Sequence, residues 1–236
     1  MSRLDLSSLE PYVELRDWSA DAELRGLVAA CVRAQRDAAE GHVRETYRPD
    51  PEAAEVGASE AALQALLAEQ RDVHGISTER HISNVVLFNS PRYADSVRSA
   101  EVVRLRRRVD AAIARRIRRS FRAPTPLTVT TSGHFWYPPG GYMAWHTNSG
   151  RPGWRMYVVW TDDPGRSFFR YRDPRTGAIV TSFDTGFDVR LFEIRADRPL
   201  WHAIRSDTHR FSLGYVVRPT TRWAQLREGL RRRLGR

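Results

Sequence analysis

The spacing of apolar positions changes once along the chain, near Pro124 and Pro126. Before that point the apolar residues recur at steps of three and four. Leu24, Leu27, Val28, Cys31 and Val32 predict an amphipathic helix from Ser19 to about Glu40, with Ser19 as its N-cap. Cys31 lies on that stripe and reads as a small buried hydrophobe. Arg48-Pro49-Asp50-Pro51 breaks the helix, because a residue before proline is pushed out of the αR region. A second helix is expected from Ser59 to Arg71, with Leu63, Leu66 and Leu67 facing inward, and a loop from Asp72 to Ser83. Val85 to Phe88 reads as a short buried strand, and Asn89-Ser90-Pro91 as a helix start. A long helix over roughly Tyr93 to Arg119 carries Val102, Leu105, Val109, Ile113 and Ile117 on one face and arginines on the other. Residues 1–18 read as an irregular or extended lead-in.

After Pro126 the period shortens to that of strands. Leu127–Thr131, Tyr142–His146, Arg155–Trp160, Ser167–Tyr171, Ala178–Ser182, Val189–Ile194, Leu200–Ile204 and Phe211–Val217 follow one another, separated by turns such as Asp163-Pro164-Gly165. Such a rhythm predicts an α+β chain whose core is a jelly roll or a related barrel. Residues 1–126 form a helical region packed on that core. Residues 127–236 form the core and a C-terminal helix (Trp223 to Leu234), and the whole is expected to be one structural domain.

Composition narrows the classes. The chain has 236 residues, 41% hydrophobic, with a formal charge of +10 carried by arginine in place of lysine. No apolar run is long enough for a membrane helix, and the N-terminus has no apolar signal core, so a cytoplasmic protein is expected. The arginines read as solvated helix faces. A polyanion or nucleic-acid surface is the competing reading, without zinc-finger, RNP-like or helix-turn-helix spacing to support it.

Chemistry concentrates between Tyr137 and Asn148, Y-P-P-G-G-Y-M-A-W-H-T-N. Pro138 to Gly141 is a sharp connection in which glycine supplies positive φ. His146 and Asn148, at i and i+2 near a strand end, are expected on one face. His202 lies on the next-to-last strand. Two imidazoles and one oxygen ligand make a metal site with open positions. Arg210 and Ser212, again at i and i+2, suit a carboxylate.

The order His146-x-Asn148, then His202, then Arg210-x-Ser212, resembles the Fe(II)/2-oxoglutarate-dependent oxygenases over roughly Leu127 to Arg218. The resemblance implies a double-stranded β-helix (jelly-roll, cupin-like) core, with Fe(II) on His146 and His202 and the distal carboxylate of 2-oxoglutarate on Arg210 and Ser212. Asn148 stands where that family has a carboxylate. Three outcomes stay open: weak ligation through the amide oxygen, water or halide in the third position, or a site without turnover. The aspartyl/asparaginyl β-hydroxylase branch, which manages without the carboxylate, is similar at His146-Thr147 and Arg155-Met156-Tyr157. It makes Arg155 a second candidate for the cosubstrate; Tyr137, whose hydroxyl can donate to a bound carboxylate, is a third.

The implied reaction is hydroxylation by O₂ of an amino acid, peptide or other small carboxylate-bearing substrate. An anionic substrate is favoured by Arg151, Arg166, Arg170 and Arg172, all placed near the expected mouth. The rivals are a jelly-roll protein that binds without turnover and a polyanion binder. His74 and His81, in the expected loop, are candidates for a lid.

Overall fold

The computed structural model describes residues 3–70, 82–83, 85–88 and 99–221. The lead-in contains β1 (Leu4–Asp5), a 3₁₀ turn, β2 (Tyr12–Glu14) and α1 (Arg16–Ser19). Then come α2 (Ala22–Thr46), α3 (Pro51–Gly57), α4 (Glu60–Ala68), β3 (Ile82–Ser83), β4 (Val86–Leu87) and α5 (Ala100–Ser120). The strands that follow are β5 (Phe121–Arg122), β6 (Leu127–Tyr137), β7 (Gly141–His146), β8 (Gly153–Thr161) and β9 (Ser167–Arg172). The last four are β10 (Ile179–Phe183), β11 (Phe187–Ile194), β12 (His202–Ser206) and β13 (Arg210–Pro219).

The start of α2 differs from expectation through the choice of capping side chain. Asp21, not Ser19, caps α2, its carboxylate accepting from Leu24 N at 2.9 Å. The expected break at Arg48 to Pro51 is followed at once by α3, with Asp50 as cap and Pro51 in the first turn, where a missing N–H costs nothing. Ser59 caps α4 as expected, and Ser99 caps α5. The expected helix start at Asn89 to Pro91, the helix residues 93–98, the loop residues 72–81 with His74 and His81, and the C-terminal helix all lie outside the described residues. Among the described residues no helix is long and apolar enough to cross a membrane.

The strands form two main sheets, ordered β2-β11-β8-β13-β6-β4 and β10-β9-β12-β7-β3. Within them β6, β8, β11 and β13 share the larger sheet, and β7, β9, β10 and β12 the smaller. The chain therefore changes sheet at every step from β6 to β13 except the β9–β10 hairpin. That winding, with antiparallel pairing throughout, is a double-stranded β-helix.

Alternation along β8 explains the layers. Trp154, Met156 and Val158 face outward into an apolar layer with Val28 and Val32 of α2 and Val109, Ile113 and Ile117 of α5. The five expected α5 stripe residues are all buried. Each contributes ~1.5–3 kcal/mol from leaving water, before the entropy of ordering it. Cys31 is buried in the same layer, and burial pushes its thiol up to about 12, so it behaves as a hydrophobe. The opposite faces of the two sheets meet over Tyr137, Met143, Phe169, Phe192 and Ile204. Helices α3 and α4 cover the outside of the smaller sheet through Ala58, Leu63, Trp145 and Trp201.

Candidate metal and carboxylate site

The connection Pro138 to Gly141 is a type II turn. Gly141 N donates to Pro138 O at 2.8 Å, and Gly140 has φ +81°, the positive value this turn requires at its third position. It starts β7 in register with β12. The pairing runs Gly141–Ser206, Tyr142–Arg205, Met143–Ile204, and then shifts by one to His146–His202. Three steps on β7 thus match two on β12, which is a β-bulge. Met143 faces the inter-sheet interior. Ala144 packs against α3 and Trp145 against α4, both outside. The extra residue restores His146 to the inner face, opposite His202.

The imidazoles are buried, at 1% and 0% exposure, with ring centroids 3.9 Å apart. His146 Nδ1 lies 2.8 Å from Ala144 O, and His202 Nδ1 lies 3.0 Å from Leu200 O. A ring nitrogen facing a carbonyl must donate, so each Nδ1 carries the proton and each Nε2 the lone pair. Metal-binding histidines are commonly oriented by this kind of contact. His202 is further held between Phe169 and Phe192, with centroids at 5.3 and 5.4 Å.

Asn148 reaches the same place by a route the pleat does not explain. Strand β7 ends at His146, and Asn148 sits beyond it at φ +56°, a left-handed conformation that asparagine tolerates. Arg151 N donates to Asn148 O at 3.0 Å and closes the turn. The Asn148 side-chain nitrogen lies 3.4 Å from His202 Nε2. A half-turn of the amide brings its oxygen to that point. Among the described residues no group of three His, Cys, Asp or Glu side chains forms a metal cluster. The donor set is two imidazole nitrogens with one neutral amide beside them. It fits a divalent first-row metal with open positions, less tightly held than with a carboxylate.

Arg210, 0% exposed, begins β13. Its Nε donates to Asp184 Oδ2 at 2.8 Å, and its guanidinium lies over the Tyr137 ring, 5.3 Å from the centroid. Tyr137 is its register partner on β6. Asp184, also 0% exposed, takes a second arginine, Arg190, on its other oxygen, and accepts from Ser167 Oγ at 2.5 Å. Burial alone would raise the Asp184 carboxyl, but the Arg210 and Arg190 charges and Ser167 outweigh it and hold the pKa at about 2. Two arginines against one aspartate leave this buried cluster with one excess positive charge. Nη1 and Nη2 of Arg210 have no hydrogen-bond partner among the described residues. Buried donors of that kind call for an anion. A carboxylate, taking both Nη donors in a fork, fits. Ser212, buried and two residues along the same face, stands beside them.

Sequence reasoning missed Asp184 and Arg190. The available signal was Arg190 itself, a charged residue sharing strand parity with inward-facing Phe192. Asp184 falls in a turn and carries no local signature.

Arg155 belongs to another part of the interior. Along β8 it is six residues from Thr161, the register partner of Arg210, a span of about 20 Å. Of the four arginines expected near the mouth, Arg170 faces outward: its Nε donates to Thr181 Oγ1 and its Nη1 to Ala58 O, both at 2.8 Å. Arg166 precedes β9 at the end away from Tyr171, which pairs with His202. These two are therefore not part of a mouth next to the histidines.

His134, for which the sequence offered no role, is buried beside Tyr215 with ring centroids 5.6 Å apart, and burial lowers its pKa to about 3. His209 packs against Trp136. Neither reaches the imidazole pair.

No family model matches the chain, and no curated protein does. Solved structures similar to it include a prolyl-4-hydroxylase from Pseudomonas putida, 13% identical, covering 91% of this chain and 95% of that one, TM-score 0.48. Another is dioxygenase for auxin oxidation 1 from Arabidopsis thaliana in complex with 2-oxoglutarate, 12% identical, covering 94% and 93%, TM-score 0.43. A third is an oxidoreductase of the 2OG-Fe(II) oxygenase family from Burkholderia pseudomallei, 11% identical, covering 92% and 95%, TM-score 0.33. The fold assignment itself stands on the strand order and register of this chain.

Proposed function

We propose that the chain is an Fe(II)/2-oxoglutarate-dependent oxygenase that hydroxylates a small or peptidic substrate. The observation that carries this reading is Arg210, a fully buried guanidinium fixed through Nε by Asp184, with both Nη groups turned to a partner the described protein does not supply. It lines the same inter-sheet interior as two imidazoles whose Nδ1 atoms are committed to carbonyls.

In this reading His146 and His202 hold the metal through Nε2, and Asn148 turns its amide oxygen toward it. Arg210 binds the distal carboxylate of 2-oxoglutarate, Ser212 adds a hydroxyl donor, and Tyr137 supports the guanidinium by stacking. With both groups bound, the chemistry supplied there is activation of O₂ and oxidation of a substrate C–H bond as 2-oxoglutarate is decarboxylated. The protein's own part is positional. Asp184 fixes the arginine, the β7 bulge places the His146 imidazole, and Phe169 and Phe192 pack against the His202 ring.

Iron-dependent formation of succinate from 2-oxoglutarate tests the proposal. The expected result is turnover by the iron-loaded chain and none by His146→Ala. Binding of 2-oxoglutarate without succinate under any candidate substrate would favour a second reading, motivated by the neutral Asn148: a site that holds the carboxylate without turnover.

A further inference from the structure

Arg155 is 4% exposed, and its neighbours on β8, Trp154 and Met156, pack outward against the helices. Its side chain therefore enters the inter-sheet interior. Its register partner on β11 is Phe192, whose ring packs on His202 at 5.4 Å. Arg155 thus stands level with the imidazole pair, on the facing sheet. One donor is committed: Nη2 donates to Arg151 O at 2.6 Å. Nη1 is buried and has no hydrogen-bond partner among the described residues.

The charges around it do not balance. Burial lowers the Arg155 pKa, Tyr157 opposes this in part, and Arg218 and Arg151 lower it further. The Arg218 side chain lies against Gly153, so close that a Cβ there would sit 2.9 Å from its Nε. Three arginines therefore gather at one end of the barrel. Arg210, by contrast, has Asp184. The segment Gly150 to Pro152, to which Arg155 is tied, is exposed, so this is the solvent side of the histidine row. A cosubstrate running from the imidazoles to Arg210 leads away from it.

We infer that Arg155 is a second anion anchor at the mouth, and that it orients a substrate bearing a carboxylate beside the metal position. The inference rests on the proposed function only in giving the cosubstrate's distal carboxylate to Arg210. Arg155 then serves specificity: an uncharged analogue of the substrate leaves a buried guanidinium donor unmet, which a binding site rejects strongly.

The test uses the full chain with Mn(II) and saturating 2-oxoglutarate. Acetate, benzoate and N-acetylglycine are titrated, each against its primary amide. The side-chain ¹⁵N–¹H signal of Arg155 is followed, assigned by its loss in Arg155→Gln. The carboxylates should shift that signal saturably and the amides should not. Arg155→Gln should weaken carboxylate binding about tenfold or more, as expected for a lost charge-assisted hydrogen bond. Its affinity for 2-oxoglutarate should stay within about threefold of the parent, a change below a single hydrogen bond. Arg155→Lys keeps the charge and should retain the preference at reduced affinity, so the test survives if the glutamine variant folds poorly. The inference is overturned if acid and amide bind alike. It is also overturned if 2-oxoglutarate alone shifts Arg155 and Arg155→Gln weakens its binding tenfold, since Arg155 would then serve the cosubstrate. Absence of any 2-oxoglutarate binding to the parent protein would sink the proposed function instead, and the acid–amide titration would still decide the role of Arg155.

Discussion

Replacing Asp184 by asparagine removes the one negative charge in the buried arginine cluster while keeping the shape. Arg190 and Arg210, 1% and 0% exposed, then face each other without a counter-charge. Breaking a buried pair by removing one partner typically costs ~3–5 kcal/mol, because the remaining charge stays desolvated. For a chain of this size that is a fall in Tm of roughly 6–20 °C. The pH dependence gives a second reading of the same cluster. Asp184 is depressed from 3.8 to about 2, so its stabilisation is complete above about pH 5 and is lost as pH falls through the folded pKa. The shift corresponds to about 2.5 kcal/mol. That is less than the mutational cost, since protonation leaves hydrogen bonds that the amide reproduces only in part. Thermal melts of both proteins between pH 7 and pH 2 make the measurement. The parent should lose stability toward pH 2 more steeply than Asp184→Asn, and the two curves should converge. Equal Tm values at pH 7, or parallel acid profiles, would refute the cluster's role.

Two further changes probe the site and its approach. Asn148→Asp places a charged oxygen beside His202 Nε2 and should tighten Mn(II) or Fe(II) binding by at least about tenfold, the step from a neutral to a charged ligand; competition with a chelator reads the change, and an unchanged affinity would mean the residue stands off the metal. Gly140→Ala forces a side chain into φ +81° and a Cβ within 2.6 Å of Pro49 Cβ. It should cost ~1–3 kcal/mol in urea unfolding and weaken metal binding through the register of β7.

The sequence carried the rhythm of the fold but not its local corrections. Eight strand segments and the α5 stripe were legible because alternation and the three-four spacing report directly on which face is buried. The prolines at Pro49 and Pro51 signalled only a break, since the same residues that end α2 start α3. His146, His202, Arg210 and Ser212 could be chosen because their order is visible. Their geometry depends on a bulge between Met143 and His146 that no residue type announces. The expectation that His146 and Asn148 share a strand face gave the right neighbours for the wrong reason: a left-handed turn, not the pleat, returns Asn148 to His202. Asp184 was hidden because it joins β9, β11 and β13 only in three dimensions. Strand parity likewise sends Arg170, expected at the mouth, outward, and Arg155, a candidate for the cosubstrate, inward.

In the proposed function Arg210 holds a carboxylate of 2-oxoglutarate beside a metal on His146 and His202. Arg210→Met tests it cleanly, because the variant leaves Asp184 paired with Arg190 alone, a neutral pair, and so should fold. Calorimetric titration of the Mn(II)-loaded proteins with 2-oxoglutarate is the measurement. The parent should bind saturably, Arg210→Met should lose about 10- to 100-fold in affinity through two charge-assisted hydrogen bonds, and Mn(II) affinity should be unchanged. Equal 2-oxoglutarate affinity in the folded variant would contradict this role of Arg210.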